Sequence, residues 1–310
     1  MYLQFFGLRE LPFELTPNPR FLFLTRRHRE ALTLLRHGIT TVKGLALLIG
    51  DAGTGKTTVV RAALASQPDD AVRFVYLNNP TLTRDEFIEF LAYGFQLSAE
   101  AAQSKTALLI EVERRLLEWR ERGVVAALFI DEAQSLSYEL LEEIRLLANI
   151  ETPTQKLLSV VLAGQPELAD RLNEKSLRQL KQRVALRCEL AALTLNETAS
   201  YIAARIRVAG GDAPRVFSRD AVSLIHECSR GIPRTISVIC DNALVTAFAL
   251  QRRPVGPDVV VEVCLDFDFS GDDGRSAVDL VEEPAHQRRV DGQPLVEVEP
   301  LEKRRRFLFF

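Results

Sequence analysis

Leu45-Ala46-Leu47-Leu48-Ile49-Gly50-Asp51-Ala52-Gly53-Thr54-Gly55-Lys56-Thr57-Thr58 decides the architecture of this chain. Leu45 to Ile49 is an uninterrupted apolar run, as a strand buried on both faces requires. Gly50 to Thr57 satisfies G-x-x-x-x-G-K-[ST] at every defined position. The three glycines reach backbone angles closed to other residues, so successive N–H groups can point into one concavity. A helix starting near Lys56 adds its positive N-terminal end. Gly50, Asp51, Ala52, Gly53, Thr54, Gly55, Lys56, Thr57 and Thr58 are therefore candidate phosphate-binding residues. Lys56 is placed to reach the β- and γ-phosphates of a nucleotide such as ATP, and the Thr57 hydroxyl to hold Mg²⁺.

A second apolar run, residues 124–130, ends in Asp131-Glu132. A continuous apolar strand belongs in the centre of a parallel sheet covered by helices on both faces. Such sheets bind ligands beyond the carboxyl ends of their strands, which puts these carboxylates on the same edge as the glycine-rich loop. Asp131 is the candidate Mg²⁺ carboxylate, and Glu132 the candidate base that orients and polarises an attacking water. The plain alternative is that Asp131 caps a helix opening at Ala133-Gln134-Ser135.

Residues 157–164 give another apolar strand with Gln165 at its carboxyl end. Gln165 could touch the attacking water or the γ-phosphate, and Pro166 at a first helical position could equally make Gln165 a helix start. Residues 177–187 place Arg178, Lys181, Arg183 and Arg187 among leucines. A solvated basic face and an arginine offered to a neighbouring subunit's nucleotide both fit. The last strand is expected at 186–193.

The remaining chain is organised around this centre. Residues 1–44 hold an aromatic run, Phe5-Phe6 to Phe13, a Pro-rich turn at 16–20, a short extended piece at 21–24, and a helix over 29–39 capped by Thr25. That segment either wraps near the adenine or packs on the core domain. Residues 59–66 continue the helix after the loop, residues 72–77 make a strand, and helices follow at 83–95, with Thr83 and Glu86 as a capping box, and at 106–122. Another helix is expected at 140–150. From Thr194 strand signals cease. Helices over 197–209, 218–229, 232–250 and 256–265 make a small helical domain. Gly231-Ile232-Pro233-Arg234 opens its third helix, where an arginine opposes the helix dipole unless it meets a phosphate.

Residues 266–310 lose periodicity and are rich in acidic residues, Gly, Ser and Pro, as disordered tails are. They end Lys303-Arg304-Arg305-Arg306-Phe307-Leu308-Phe309-Phe310. That basic-aromatic end is either a frayed terminus or a contact with an anionic membrane surface. The domain boundaries thus fall at 1–44, 45–193, 194–265 and 266–310.

Composition bounds the possibilities. The chain of 310 residues is 47% hydrophobic and 26% charged, which suits a soluble protein with a sizeable core. A net charge of −3 argues against nucleic-acid binding by bulk charge, leaving a local basic face open. The four cysteines form no C-x-x-C pair and are expected as buried reduced thiols, which suits a cytoplasmic compartment. There is no signal-peptide pattern and no apolar run long enough to span a bilayer.

The chain resembles the AAA+ ATPases, more closely those of the general secretion pathway protein A (ExeA) type. The resemblance rests on Phe5-Phe6-Gly7-Leu8-Arg9-Glu10 with Pro12-Phe13, Thr16-Pro17-Asn18-Pro19-Arg20-Phe21-Leu22, Gly53-Thr54-Gly55-Lys56-Thr57-Thr58, Ile130-Asp131-Glu132-Ala133-Gln134, Leu162-Ala163-Gly164-Gln165-Pro166-Glu167-Leu168 and Gly231-Ile232-Pro233-Arg234. It covers about residues 1–265. The resemblance implies an α/β fold, a three-layer P-loop NTPase (AAA+) core with a parallel sheet, followed by a small all-helical lid domain. It further implies Mg²⁺-dependent ATP hydrolysis at the subunit boundaries of a ring or filament. Lys56 and Thr57 match Walker A, Asp131 and Glu132 Walker B, Gln165 sensor 1 and Arg234 sensor 2, with Arg183 or Arg178 as the arginine finger. The partners it implies are further copies of the chain and a protein client in an envelope, secretion or exopolysaccharide complex. The implied location is cytoplasmic or peripheral at the inner face of the membrane. Other AAA+ proteins, resembling transposition regulators, are ATP-switched and load onto DNA, which is the alternative reading.

Overall fold

The computed structural model describes residues 2–267 except Pro17, Asp69, Asp70 and Asn79. The acidic tail and its basic-aromatic end lie outside the described residues.

The elements run α1 (Tyr2–Phe6), α2 (Arg26–Thr40), β1 (Leu45–Gly50), α3 (Lys56–Ala65), β2 (Val72–Leu77), α4 (Arg84–Gly94), α5 (Ala99–Gln103), α6 (Lys105–Glu121) and β3 (Val125–Ile130). They continue with α7 (Tyr138–Leu147), β4 (Leu158–Gly164), α8 (Pro166–Leu172), α9 (Arg178–Lys181), β5 (Val184–Leu190), α10 (Leu195–Val208), α11 (Ala213–Val216), α12 (Arg219–Ser229), α13 (Pro233–Ala249) and α14 (Pro257–Asp266). Two compact units result. One is Leu24–Ala192; the other joins the residues up to Phe23 to those from Leu193 onward.

The first unit is a three-layer sandwich. Its five strands are parallel and ordered β2-β3-β4-β1-β5. Alternation along each strand feeds two cores. Leu45, Leu47 and Ile49 of β1, with Leu128 and Ile130 of β3, face a core shared with Phe87 and Leu91 of α4, Leu116 of α6 and Ile144 of α7. Ala46, Leu48 and Phe129 face the opposite core, shared with Leu35 and Ile39 of α2 and Val59 of α3. Burying each of these large apolar side chains contributes about 1.5–3 kcal/mol. The central strands β1, β3 and β4 therefore end on one sheet edge, at Gly50, Ile130 and Gly164, and the residues that follow them form the site.

The capping chemistry appears where the sequence places it. Thr25 accepts the His28 N–H at the start of α2, and Thr83 and Glu86 form a capping box on α4. Two expectations shift. The piece at 21–24 is not extended throughout: Pro19–Phe21 closes a 3-10 turn, in which Asn18 accepts the Arg20 N–H through Oδ1 and the Phe21 N–H through its carbonyl. The last strand is Val184–Leu190 rather than 186–193, because Leu193 N–H is taken by the Gly231 carbonyl at 2.8 Å and so lies outside the ladder.

The second unit is helical. Its core joins Ile202 and Ile206 of α10, Ile225 of α12, Ile236, Ile239 and Leu244 of α13 and Val260 of α14. The aromatic run near the start of the chain belongs to this core: Phe6 is buried there, and Phe13 stacks edge-on against Phe217. Arg205 ties it down, its guanidinium donating to the carbonyls of Pro12 and Glu14. The four cysteines are free and buried, Cys188 on β5 facing the second core of the α/β unit and the others in the helical unit.

Candidate active site

The glycine-rich loop joins β1 to α3. Gly50 closes the strand in a place with no room for a side chain, since a Cβ there would stand 2.6 Å from the Leu190 carbonyl. Gly55 caps α3 with φ +100°, a conformation that side-chain-bearing residues rarely adopt. Lys56 folds back across the loop, donating from Nζ to the carbonyls of Gly50 at 2.7 Å and Asp51 at 3.0 Å. It is 5% exposed, and burial pulls its ammonium below the ordinary lysine value; Glu132, Asp131 and Asp51 oppose that shift. Thr54 is buried, whereas Asp51, Ala52 and Thr58 are exposed.

The two carboxylates stand beyond the end of β3 with separate partners. Asp131 is buried, and its Oδ2 accepts the Thr57 hydroxyl at 2.6 Å and the Tyr76 hydroxyl at 2.9 Å. Its Oδ1 accepts the Glu132 N–H at 3.0 Å. Asp131 is therefore not a helix cap: Glu132 takes that position before the short 3-10 turn Ala133–Ser135, at φ +51° and without a capping bond. A left-handed backbone at a non-glycine residue is a strained conformation of the kind concentrated at functional sites. Glu132 Oε2 accepts the Gln134 carboxamide at 2.6 Å and the Gln165 carboxamide at 3.3 Å. Gln165 makes no side-chain cap to α8, so its amide stays free to reach Glu132.

Thus Lys56, Thr57, Asp131, Glu132 and Gln165 converge on one edge of one sheet. Three contributors carried no motif of their own. Tyr76, at the end of β2, donates to Asp131 while burial and the neighbouring carboxylate drive its own pKa far up. Gln134 joins Glu132 to the Gln165 backbone. His28, on α2, contacts the Thr54 carbonyl from outside the loop. Alternation in β2 and the Asp-Glu-Ala-Gln string were the available signals for the first two; a lone histidine on a helix offered none.

Arg178 and Arg183 are exposed, on α9 and just before β5, and among the described residues neither forms an ion pair with Asp131 or Glu132. Arg234 is exposed on the first turn of α13 in the helical unit.

A strand–loop–helix with a lysine over the loop, faced by an Asp-Glu pair two strands away, has the geometry of a nucleotide phosphate site. Residues 39–172 match the family of AAA domains. Over that stretch the chain is similar to AAA domains, and its α/β unit has the AAA+ fold. It is 42% identical over 249 residues to general secretion pathway protein A of Aeromonas hydrophila, a stretch that is 80% of this chain and 45% of that protein. The chain therefore spans under half the length of this curated relative. Among solved structures, the Aeropyrum pernix ORC2 protein, described as ADPNP–ADP complexes, has a TM-score of 0.60 at 18% identity over 82% of this chain and 71% of that one. Drosophila ORC bound to DNA has a TM-score of 0.63 at 20% identity over 87% of this chain and 67% of that one. At 18 and 20% identity, the likeness to these structures is one of fold.

Proposed function

We propose that this AAA domain binds ATP with Mg²⁺ and hydrolyses it to ADP and phosphate. The observation that carries the reading is the 2.6 Å bond between the Thr57 hydroxyl and the Asp131 carboxylate, at the mouth of a loop spanned by Lys56. A hydroxyl and a carboxylate are hard oxygen donors, the set that suits Mg²⁺ completed by phosphate and water. Bound Mg²⁺ would neutralise charge on the transferring phosphoryl group. The loop N–H groups and Lys56 bind the phosphates. Glu132 orients the attacking water and accepts its proton, and Gln165 holds Glu132 or the water in register.

Arg234 is proposed to meet the phosphates from the lid, and Arg183 or Arg178 to complete the site of a neighbouring copy in a homo-oligomer. The likeness to general secretion pathway protein A supports a client in an envelope-associated complex. It also supports a cytoplasmic position, with peripheral contact at the inner face of the membrane. Among the described residues no helix is long and apolar enough to cross a membrane. A second reading, an ATP-switched DNA-binding module, is favoured by one observation: Arg187 on the edge strand β5 and Arg183 just before it are exposed, as is Arg178 on α9.

Lys56→Ala should abolish turnover and Glu132→Gln should bind ATP without hydrolysing it. Undiminished hydrolysis by the Glu132→Gln protein removes the base assignment. ATP-dependent binding to duplex DNA that weakens steeply with salt selects the second reading.

A further inference from the structure

His28 lies outside the loop motif, yet its imidazole is 5% exposed and bonded at both nitrogens. Nε2 stands 2.9 Å from the Thr54 carbonyl oxygen. A carbonyl only accepts, so Nε2 carries the proton. Nδ1 stands 2.7 Å from Thr25 Oγ1, and in the neutral ring it accepts the threonine hydroxyl. The same Oγ1 accepts the His28 backbone N–H at 3.3 Å. Thr25 is itself buried, so α2 opens with a hydroxyl that both caps the helix and orients the ring. The ring also rests on the loop: a Cβ on Gly55 would come within 3.2 Å of Nε2.

The consequence lies in the Thr54–Gly55 peptide. The unit is planar and trans, so its C=O and N–H point in opposite directions. Holding the Thr54 carbonyl on His28 turns the Gly55 N–H to the side away from α2. A loop rich in glycine has little intrinsic preference for that peptide orientation over its reverse. Resting on the nucleotide reading above, we propose that His28 is a positioning residue: it sets the Thr54–Gly55 peptide so that the Gly55 N–H faces the phosphate, and Thr25 sets His28.

The test compares His28→Leu, which removes the donor and keeps bulk, with His28→Gln, which keeps an N–H donor. Steady-state hydrolysis, titration with a fluorescent ATP analogue and thermal melting are measured on the full chain. The expected result is KM and Kd about tenfold higher in His28→Leu with kcat within about threefold of the parent, and recovery to within about threefold in His28→Gln. A merely structural role would lower the active fraction, and hence kcat, without separating the two variants. Parental KM in the Leu variant, or equal impairment of both, overturns the proposal. Thr25→Val is a milder second probe if the Leu variant does not fold: a KM raised severalfold supports the relay, and an unchanged KM overturns it. Lys56→Ala in parallel distinguishes the two levels. If it binds the analogue as the parent does, the nucleotide reading falls with the proposal; if binding is lost while His28→Leu is normal, only the proposal falls.

Discussion

The carboxamide nitrogen of Gln134 donates to Glu132 Oε2 at 2.6 Å, while its oxygen accepts the Gln165 N–H at 3.0 Å. The second bond determines the first. A backbone N–H can only donate, so the amide oxygen must face Gln165 and the amide nitrogen must face Glu132. Gln134 is thereby an oriented clamp on the proposed base. Gln134→Ala should lower kcat about tenfold with little change in the Kd for ATP, since the base is displaced and the phosphate loop is not. Gln134→Glu should be worse at neutral pH, because a second carboxylate against Glu132 favours a protonated pair. Its activity should recover as pH rises. Steady-state kinetics from about pH 6 to 9 check both, and a Gln134→Ala protein with parental kcat would remove the clamp.

Tyr76 and Thr57 share Asp131 Oδ2, at 2.9 and 2.6 Å. Outer partners of this kind orient a ligating carboxylate. Tyr76→Phe keeps the ring and loses only the hydroxyl, so the expected effect is confined to metal use. The Mg²⁺ concentration giving half-maximal hydrolysis should rise by about three- to tenfold, with kcat at saturating Mg²⁺ near the parental value. An unchanged Mg²⁺ requirement would show that Thr57 alone orients the carboxylate.

Burial lowers the Lys56 pKa from its ordinary 10.5. A bound polyanion pushes the other way, raising it, so nucleotide binding takes up a proton wherever the free protein has already lost one. Affinity for ATP should therefore begin to fall at a pH below 10.5, as Lys56 neutralises. The stability consequence follows from the same displacement. Between the lowered folded value and 10.5 the unfolded chain binds more protons, so this one group favours the folded state increasingly as pH rises through that window. Nucleotide titrations from neutrality up to pH 10.5 test the binding half. A pH-independent Kd across that range would mean that Lys56 stays charged or does not meet the anion.

The sheet is legible in the sequence because its central strands are apolar on both faces, as at Leu45–Ile49 and Val125–Ile130, and because a glycine-rich turn and an Asp-Glu pair follow them. Periodicity carries that information in a single stretch of chain. Tertiary partners leave no such trace. The union of Phe6 and Phe13 with the helical unit depends on Phe217 and Arg205, far along the chain. Likewise Tyr76 follows an ordinary strand pattern until Asp131 is placed beside it, and His28 sits on a helix whose apolar spacing says nothing of the loop it touches. The start of β5 escapes the sequence for a related reason: a register shift at Leu45/Ala46 brings Val184 into the ladder, and Val184, Ala185 and Leu186 at that end of the edge strand are exposed or only half-buried.

Gly231 supplies the clearest stability test in the helical unit. Its φ is +71°, and a Cβ there would collide with the Leu193 carbonyl oxygen, a backbone atom that cannot swing aside. The same two residues are joined in the other direction, Leu193 N–H donating to the Gly231 carbonyl at 2.8 Å. Glycine therefore lets the turn between α12 and α13 press against the chain entering α10. Gly231→Ala adds left-handed strain and forces that contact open, at a combined cost of about 2 kcal/mol or more. Losing the Leu193 bond would add about 1 kcal/mol. Part of this is offset because alanine restricts the unfolded chain. The net expectation is a urea midpoint shifted clearly downward when helix loss is followed by circular dichroism. Gly123→Ala is the matched control: Gly123 also has positive φ, +75°, but nothing lies within 4 Å of its Cβ position. That variant should cost only the backbone strain, about 1 kcal/mol, so equal midpoints for the two would show that the Leu193 contact contributes nothing.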